Sequence, residues 1–308
     1  MRLLLTGGAG FIGSNLTRLA LAEGHEVSII DDLSNGFEGN LNGLEVTFHH
    51  GSILDPDVLG AAMKGVDSVV HLAALGSVPR SIKDPLASHH ANATGTLTVL
   101  EAARAAGVGH LVVSSSSSVY GLNPALPKNE REWVRPVSPY AVSKLATEQY
   151  VLAYQQSYGL DTLAFRFFNV YGPRQMPNHA YAAVIPIFLD ALLKGEPVPV
   201  NGDGEHSRDF TYVGTVVRVL MDAVTGHVSH TEPVNLAFGT NTTLNALIGS
   251  MESVSGLTAE VRYRDPRPGD VRASQADNST LTALFPHIQP VALEFGLQET
   301  LTWLEERS

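Results

Sequence analysis

The chain contains no cysteine. That absence excludes disulfide scaffolds, thiolate zinc sites, iron–sulfur clusters and thiol nucleophiles together. Basic residues are scarce: 20 Lys and Arg stand against 31 Asp and Glu, a formal net charge of −11. Nucleic acid needs a basic face and is not an expected partner, whereas a small anion held by a few local arginines is compatible with this balance. No apolar run approaches the roughly 20 residues of a membrane span. The opening Met1-Arg2-Leu3-Leu4-Leu5 reaches glycine by Gly7, too soon for a signal peptide. A soluble cytoplasmic protein is the expectation. The histidine pairs His49-His50 and His89-His90 lack an H-E-x-x-H pattern or an acidic cluster, so no metal site is expected.

Apolar material is plentiful. Of 308 residues, 44% are hydrophobic and 17% charged, which rules out a disordered chain. Short β-rich runs at Arg2–Thr6, Glu26–Asp31, Val46–His50, Ser68–His71, His110–Ser114 and Leu163–Phe167 read as strands. Helical patterns fall between them at Phe11–Glu23, Pro56–Met63, Pro85–Ala106 and Ser138–Tyr158. Runs such as Leu111-Val112-Val113 show little alternation, as in parallel strands covered on both faces. This rhythm implies a doubly wound parallel α/β sheet. After Phe168, glycine and proline punctuate the chain, with helices expected at Ala180–Lys194, Val213–Thr225, Leu244–Ser255 and Ala292–Arg307. The expected division is a dinucleotide-binding domain over 1–165 and a smaller α/β substrate domain over 166–308, with some later segments returning to the first.

Gly7, Gly10 and Gly13 form G-x-x-G-x-x-G straight after a strand and at the start of a helix. Such glycines permit a tight turn, a close approach to a pyrophosphate, and amide N–H groups presented at a helix N-terminus. Asp31 ends the next strand, where a carboxylate accepts hydrogen bonds from an adenosine ribose and repels a 2′-phosphate, so NAD is favoured over NADP. A Walker loop is excluded, because Gly13-Ser14 lacks the intervening lysine. Tyr140 and Lys144 stand four apart on an expected helix and share one face. A phenol is a poor base at neutral pH, but an adjacent ammonium and a positive nicotinamide ring stabilise its phenolate. The run Ser114–Ser118 follows a strand ending at the same sheet edge as the glycine loop, the edge where doubly wound folds bind ligands.

These segments, with His71-Leu72-Ala73-Ala74, Asn92-Ala93-Thr94-Gly95-Thr96, Arg166-Phe167-Phe168-Asn169 and Arg208-Asp209-Phe210, resemble the extended short-chain dehydrogenase/reductases nearly end to end. Within them the chain is similar to the UDP-sugar 4-epimerases. Ala73–Ser81 and Ala180–Pro186 resemble bacterial UDP-N-acetylglucosamine 4-epimerases in particular. The resemblance implies NAD as cofactor and Ser116, Tyr140 and Lys144 as catalytic residues. It places Gly7, Gly10, Phe11, Ile12, Gly13, Asp31, Asp32, Asn35, Ser52, Ile53, Ala73, Ala74, Asn92, Tyr140, Lys144 and Phe167 against the cofactor. It places Ser77, Ser116, Ser117, Ser118, Asn169, Ala183, Val184, Arg208, Arg267, Asp270 and Ser274 around a UDP-sugar.

Departures from related patterns carry the finer expectations. Ser52 stands where the family usually has an aspartate that contacts the adenine, so altered adenine contacts are expected. The 4,6-dehydratases carry an Asp-Glu pair where this chain has Ser117-Ser118, and a hydroxyl cannot replace a carboxylic acid in eliminating water. The UDP-glucuronate 4-epimerases have an arginine at Met176 and a threonine at Asn169, so a neutral hexose is preferred over a uronate. Ser274 falls at the position whose bulk gates N-acetyl sugars, and its small side chain implies entry for both N-acetyl and plain hexoses. UDP-glucuronate epimerisation and a non-catalytic NAD-binding redox sensor are the alternatives. Helices over 85–106 and 138–158 correspond to a common dimer interface, so a homodimer is expected, with Leu97, Leu100, Leu145 and Val151 serving either that face or the chain's own core.

Overall fold

The computed structural model describes residues 1–177, 182–266 and 271–307. The first strands are β1 (Arg2–Thr6), β2 (Glu26–Asp31), β3 (Thr47–His50), β4 (Ser68–His71), β5 (His110–Ser116) and β6 (Asp161–Phe167). Shorter ones follow at β7 (Asn169–Tyr171), β8 (Val198–Asn201), β9 (Ser207–Arg208), β10 (Phe210–Tyr212), β11 (Val234–Leu236), β12 (Thr242–Thr243) and β13 (Val261–Arg264). The early helices are α1 (Phe11–Ala22), α2 (Pro56–Ala62), α3 (Val78–Lys83), α4 (Pro85–His89), α5 (Gly95–Ala106) and α6 (Pro139–Tyr158). The later ones are α7 (Val184–Lys194), α8 (Val213–Thr225), α9 (Leu244–Ser255), α10 (Ser279–Leu284) and α11 (Leu293–Glu305).

Seven parallel strands form the central sheet in the order β3-β2-β1-β4-β5-β6-β11. The order reverses between β1 and β4, which opens a crevice at their carboxyl ends. Leu3, Leu5, Ile29, Val112 and Phe165 face one apolar layer, where α1 and α8 pack. Leu4, Ile30, Val69, Leu111 and Val113 face the other, against α2, α5 and α6. Side chains buried on both faces account for the unbroken apolar runs of the sequence. Strand β6 runs through residues 165 and 166, and α8 and β11 complete the layer from later in the chain. A third apolar cluster joins Ile185, Phe188, Leu189, Val198, Leu247, Met251 and Leu301 from α7, β8, α9 and α11. It underlies the second half of the molecule.

Two expectations need correction. The helix expected over 85–106 is interrupted by a π-helical turn at His90–Thr94. Within this turn the Asn92 carbonyl accepts hydrogen bonds from Thr96 Oγ1 (2.6 Å) and Thr147 Oγ1 (3.2 Å). The helix expected from Ala180 begins at Val184, and Ala180 itself lies outside the described residues. Strands of two to four residues in the second half, and the short α3 and α10, were too brief to show a period. Leu100 and Val151 are fully buried between sheet and helices, while Leu97 and Leu145 pack against apolar clusters of the same chain. Leu100 and Val151 therefore serve this chain's own core, and Leu97 and Leu145 contribute to it from partly buried positions.

Candidate active site

The glycine loop crosses the crevice between β1 and β4. Gly7 adopts a left-handed φ of 71°, and a Cβ there would lie 2.7 Å from the Ala73 nitrogen. A Cβ at Gly13 would meet the Gly7 carbonyl oxygen at 2.4 Å. Bare backbone is therefore required for the loop to turn and for α1 to start against it. Gly7 and Gly10 line a cleft of about 400 Å³ together with Asp31, Asp32, Asn35, Ser52, Ile53, Ala73 and Ala74. Asp31 accepts the Ala9 and Leu33 amides, each at 2.9 Å, which fixes its carboxylate at the cleft wall. Burial pushes its pKa up, and those two amides pull the other way. Phe11, Ile12 and Gly13 form the first turn of α1 behind the loop. Arg80 is a lining residue that the motifs did not reveal, and it donates to the Asn35 side chain across the cleft.

The π turn gives Asn92 its place. Its amide oxygen accepts the Leu75 amide at 2.7 Å, and its Nδ2 donates to Ser143 Oγ at 2.9 Å. Asn92 thereby ties the loop after β4 to α6, the helix that carries Tyr140 and Lys144. Pro139 opens α6, and Ser138 caps it by accepting the Ala141 amide at 3.2 Å. Strand β5 continues two residues past its expected end because Ser114–Ser116 pair with Phe165–Phe167 of β6. Ser116 then faces the phenol of Tyr140 at the strand's end. Burial raises the Tyr140 pKa, and the hydrogen-bonding interaction with Ser116 opposes that rise.

Lys144 is 4% exposed and donates to the Ser114 carbonyl at 2.6 Å. Desolvation pushes its pKa down to about 8. Nearby His71, buried and facing the Lys144 ammonium, is pushed down to about 3 and stays neutral between Thr6 and Thr96. The consequence for folding has a definite sign. Between pH 8 and the ordinary lysine value of 10.5, the unfolded chain holds more protons at this position than the folded one. Charging Lys144 thus destabilises the fold fully below pH 8 and not at all above pH 10.5. Lys144→Met is expected to stabilise the cofactor-free protein by on the order of 1–2 kcal/mol at neutral pH, with the gain shrinking as pH rises. Urea unfolding of both proteins at pH 7 and pH 9.5 checks this. An equal gain at both values would refute it.

A second cleft, of about 380 Å³, opens beside the serine run. Ser117, Ser118, Asn169, Arg208 and Ser274 line it, as do Tyr120 and two residues that no sequence pattern had marked, Lys128 and Val271. Ser118 Oγ is buried behind the cleft wall without a hydrogen-bond partner among the described residues. Ser77 borders the same region, capping α3 with a strained φ of 97°. Ala183 and Val184 form the start of α7 and do not line this cleft. Arg267 and Asp270 lie outside the described residues. The remaining expected cofactor residue, Phe167, ends β6 largely buried.

Beneath the serines lies an ion pair closed to solvent. Arg166 of β6 donates to Glu148 of α6 through two nitrogens, at 2.7 and 2.9 Å, and their side chains are 4% and 0% exposed. Ser115 Oγ adds a hydrogen bond to the same carboxylate at 3.0 Å. Arg166 also stacks over the Tyr120 ring, 4.8 Å from its centroid. Among the described residues no group of His, Asp and Glu is arranged to hold a metal ion, and no helix is long and apolar enough to cross a membrane.

Comparison with known proteins places this arrangement. Residues 3–237 match the model of the NAD dependent epimerase/dehydratase family. A UDP-glucose 4-epimerase of Mycolicibacterium smegmatis is 39% identical over 314 residues, covering all of both chains. The solved UDP-N-acetylglucosamine 4-epimerase of Methanobrevibacter ruminantium, in complex with UDP-N-acetylmuramic acid, superposes with a TM-score of 0.94 at 39% identity, over 100% of this chain and 99% of that one. The Thermotoga maritima UDP-glucose 4-epimerase with UDP-glucose gives 0.94 at 36% identity, with the same coverage. The glycine cradle, the fixed Asp31 and the match over most of the chain agree: this protein belongs to the NAD-dependent epimerase/dehydratase family, and NAD is its cofactor.

Proposed function

We propose that the protein catalyses reversible C4 epimerisation of a UDP-hexose through a 4-keto sugar. UDP-N-acetylglucosamine and UDP-N-acetylgalactosamine form one substrate pair, and UDP-glucose and UDP-galactose another. The observation that carries this reading is the Tyr140 phenol set against the Ser116 hydroxyl, with neutral Ser117 and Ser118 lining the adjoining cleft. A site for eliminating water needs a carboxylic acid there. The UDP-sugar 4-epimerases among the similar proteins support the same reaction class.

The glycine loop, Asp31, Asp32, Asn35, Ala73 and Ala74 hold NAD in the first cleft, and Asn92 braces its wall. When bound, NAD supplies a reversible two-electron acceptor for the hydrogen at C4. Tyr140 takes the proton from the sugar O4 and later returns it. Ser116 hydrogen-bonds the same oxygen and shares the developing charge. Lys144 orders the nicotinamide ribose and favours the phenolate by its charge. Arg208 offers charge-assisted hydrogen bonds to the UDP pyrophosphate, and Ser274 leaves space for an N-acetyl group. We extend the proposal to a homodimer, supported by the exposed Val142 and Tyr150 of α6 and the neighbouring exposed Leu86 and Ile82.

The test is direct. Purified protein is incubated separately with UDP-N-acetylglucosamine, UDP-glucose and UDP-glucuronate, and the products are resolved by NMR. Interconversion at C4 of the first two is expected. Turnover of UDP-glucuronate alone would overturn the specificity argument built on Met176, and loss of water from any sugar would overturn the reaction class.

A further inference from the structure

The substrate cleft contains a cation to which no motif pointed. Lys128 lies in the segment between β5 and α6 and is 6% exposed. It lines the cleft together with Ser118, Asn169, Arg208 and Ser274. Its backbone is clamped on both sides. The Lys128 amide donates to the Gln275 carbonyl at 2.7 Å, and the Lys128 carbonyl accepts the Asp277 amide and Asn235 Nδ2, each at 2.8 Å. Lys128 is therefore fixed to the strip of chain that begins at Ser274, and the two residues belong to one wall.

Its ammonium is underused. One N–H donates to the Asn123 carbonyl, and the ammonium lies 6.0 Å from the centroid of the Tyr120 ring. An ammonium carries three donors, and no carboxylate pairs with this one among the described residues. Burial lowers its pKa, and Glu132 offsets this only in part. A buried ammonium with donors to spare is set to bond an acceptor brought into the cleft that it lines.

We propose that Lys128 reads the C2 acetamido group of the substrate, its ammonium donating a hydrogen bond to the acetamido carbonyl oxygen. The inference rests on the UDP-sugar epimerase reading given above and names the residue that selects within it. An amide carbonyl is the type of acceptor to which Lys128 already donates at Asn123, and it offers lone pairs to the remaining N–H donors. Small Ser274 provides room on the same wall, so one residue admits the group and its neighbour bonds it. Plain hexoses present only a hydroxyl at C2, which gives the ammonium a weaker acceptor farther from the wall.

The experiment compares wild type with Lys128→Met, which keeps the length and removes the donors. The kcat/KM values for UDP-N-acetylglucosamine and UDP-glucose are measured on the NAD-loaded enzyme. Dissociation constants for both sugars, UDP-glucuronate and UDP are measured by calorimetry. The preference for the N-acetyl sugar over the plain one is expected to fall roughly ten- to hundredfold, mostly through KM and affinity. An equal fall for both sugars, or a loss confined to stability, makes Lys128 structural and overturns the proposal. So does a loss greatest for UDP-glucuronate, which would assign the ammonium to a carboxylate. Should the methionine variant not fold, Lys128→Gln, neutral but still a donor, is expected to give a smaller loss of the same preference. Failure of the underlying reading is distinguishable, because wild type would then epimerise none of the sugars at C4. Wild type that turns over UDP-glucose but binds no N-acetyl sugar would overturn the Lys128 assignment and leave C4 epimerisation of a UDP-hexose standing.

Discussion

Tyr140→Phe is expected to lower kcat by about 10³-fold, within the span typical of a lost general acid–base group. The substitution removes one oxygen and leaves the ring that packs at the start of α6. Affinity for NAD and for UDP is therefore expected to stay close to wild type, which separates a chemical defect from a binding one. Ser116→Ala is expected to cost less, because the role proposed for Ser116 is to support the proton transfer without carrying it. The Tyr140 pKa, raised by burial in the free protein, sets a further condition. The phenolate needs compensating positive charge, and a residual rate in Tyr140→Phe that is independent of pH would agree with its being the base. A variant that retains a tenth or more of the wild-type kcat would refute the assignment.

The largest expected effect on stability comes from the ion pair beneath the site. Glu148→Ala leaves the Arg166 guanidinium buried with the Glu130 carbonyl, at 3.1 Å, and the Tyr120 side chain as its partners among the described residues. Breaking such a pair costs about 3–5 kcal/mol, a fall in melting temperature on the order of 10 °C. The loss is expected to reach activity as well, because Ser115 bonds to Glu148 and the next residue is Ser116. Replacing both partners, as Glu148→Leu with Arg166→Met, is expected to recover much of the stability, since apolar packing removes the need to desolvate either charge. Thermal unfolding of the two single variants and the double variant checks this. Equal stability of Glu148→Ala and wild type would show that the pair contributes nothing.

The sequence revealed those parts of the molecule in which pattern and chemistry coincide. The long strands and helices of the sheet were legible because residues such as Leu3, Leu4 and Leu5 are buried on both faces and leave no ambiguity of period. The glycine loop was legible because a Cβ at Gly7 or Gly13 has nowhere to go. Tyr140 and Lys144 were visible through their helical spacing. Lys128 was not, since it sits in an irregular segment whose position depends on residues nearly 150 positions later, Gln275 and Asp277. The π turn was equally hidden, because none of its residues marks a break in a hydrophobic pattern. The pairing of Glu148 with Arg166 crosses from helix to strand, and neither residue type signals burial by itself.

The π turn between α4 and α5 acts as a phase shifter. A regular helix advances about 100° per residue, so one additional residue in the turn rotates everything before it relative to everything after it. Asn92 sits inside that turn, and its side chain meets Leu75 on one side and Ser143 on the other. The fold thus keeps α5 seated on the sheet while aiming a single amide at the cofactor wall. Shortening the segment by one residue would restore a smooth helix and preserve its hydrophobic seating. The same deletion would swing the Asn92 amide about a quarter turn out of alignment, uncoupling the loop after β4 from the helix that carries Tyr140 and Lys144.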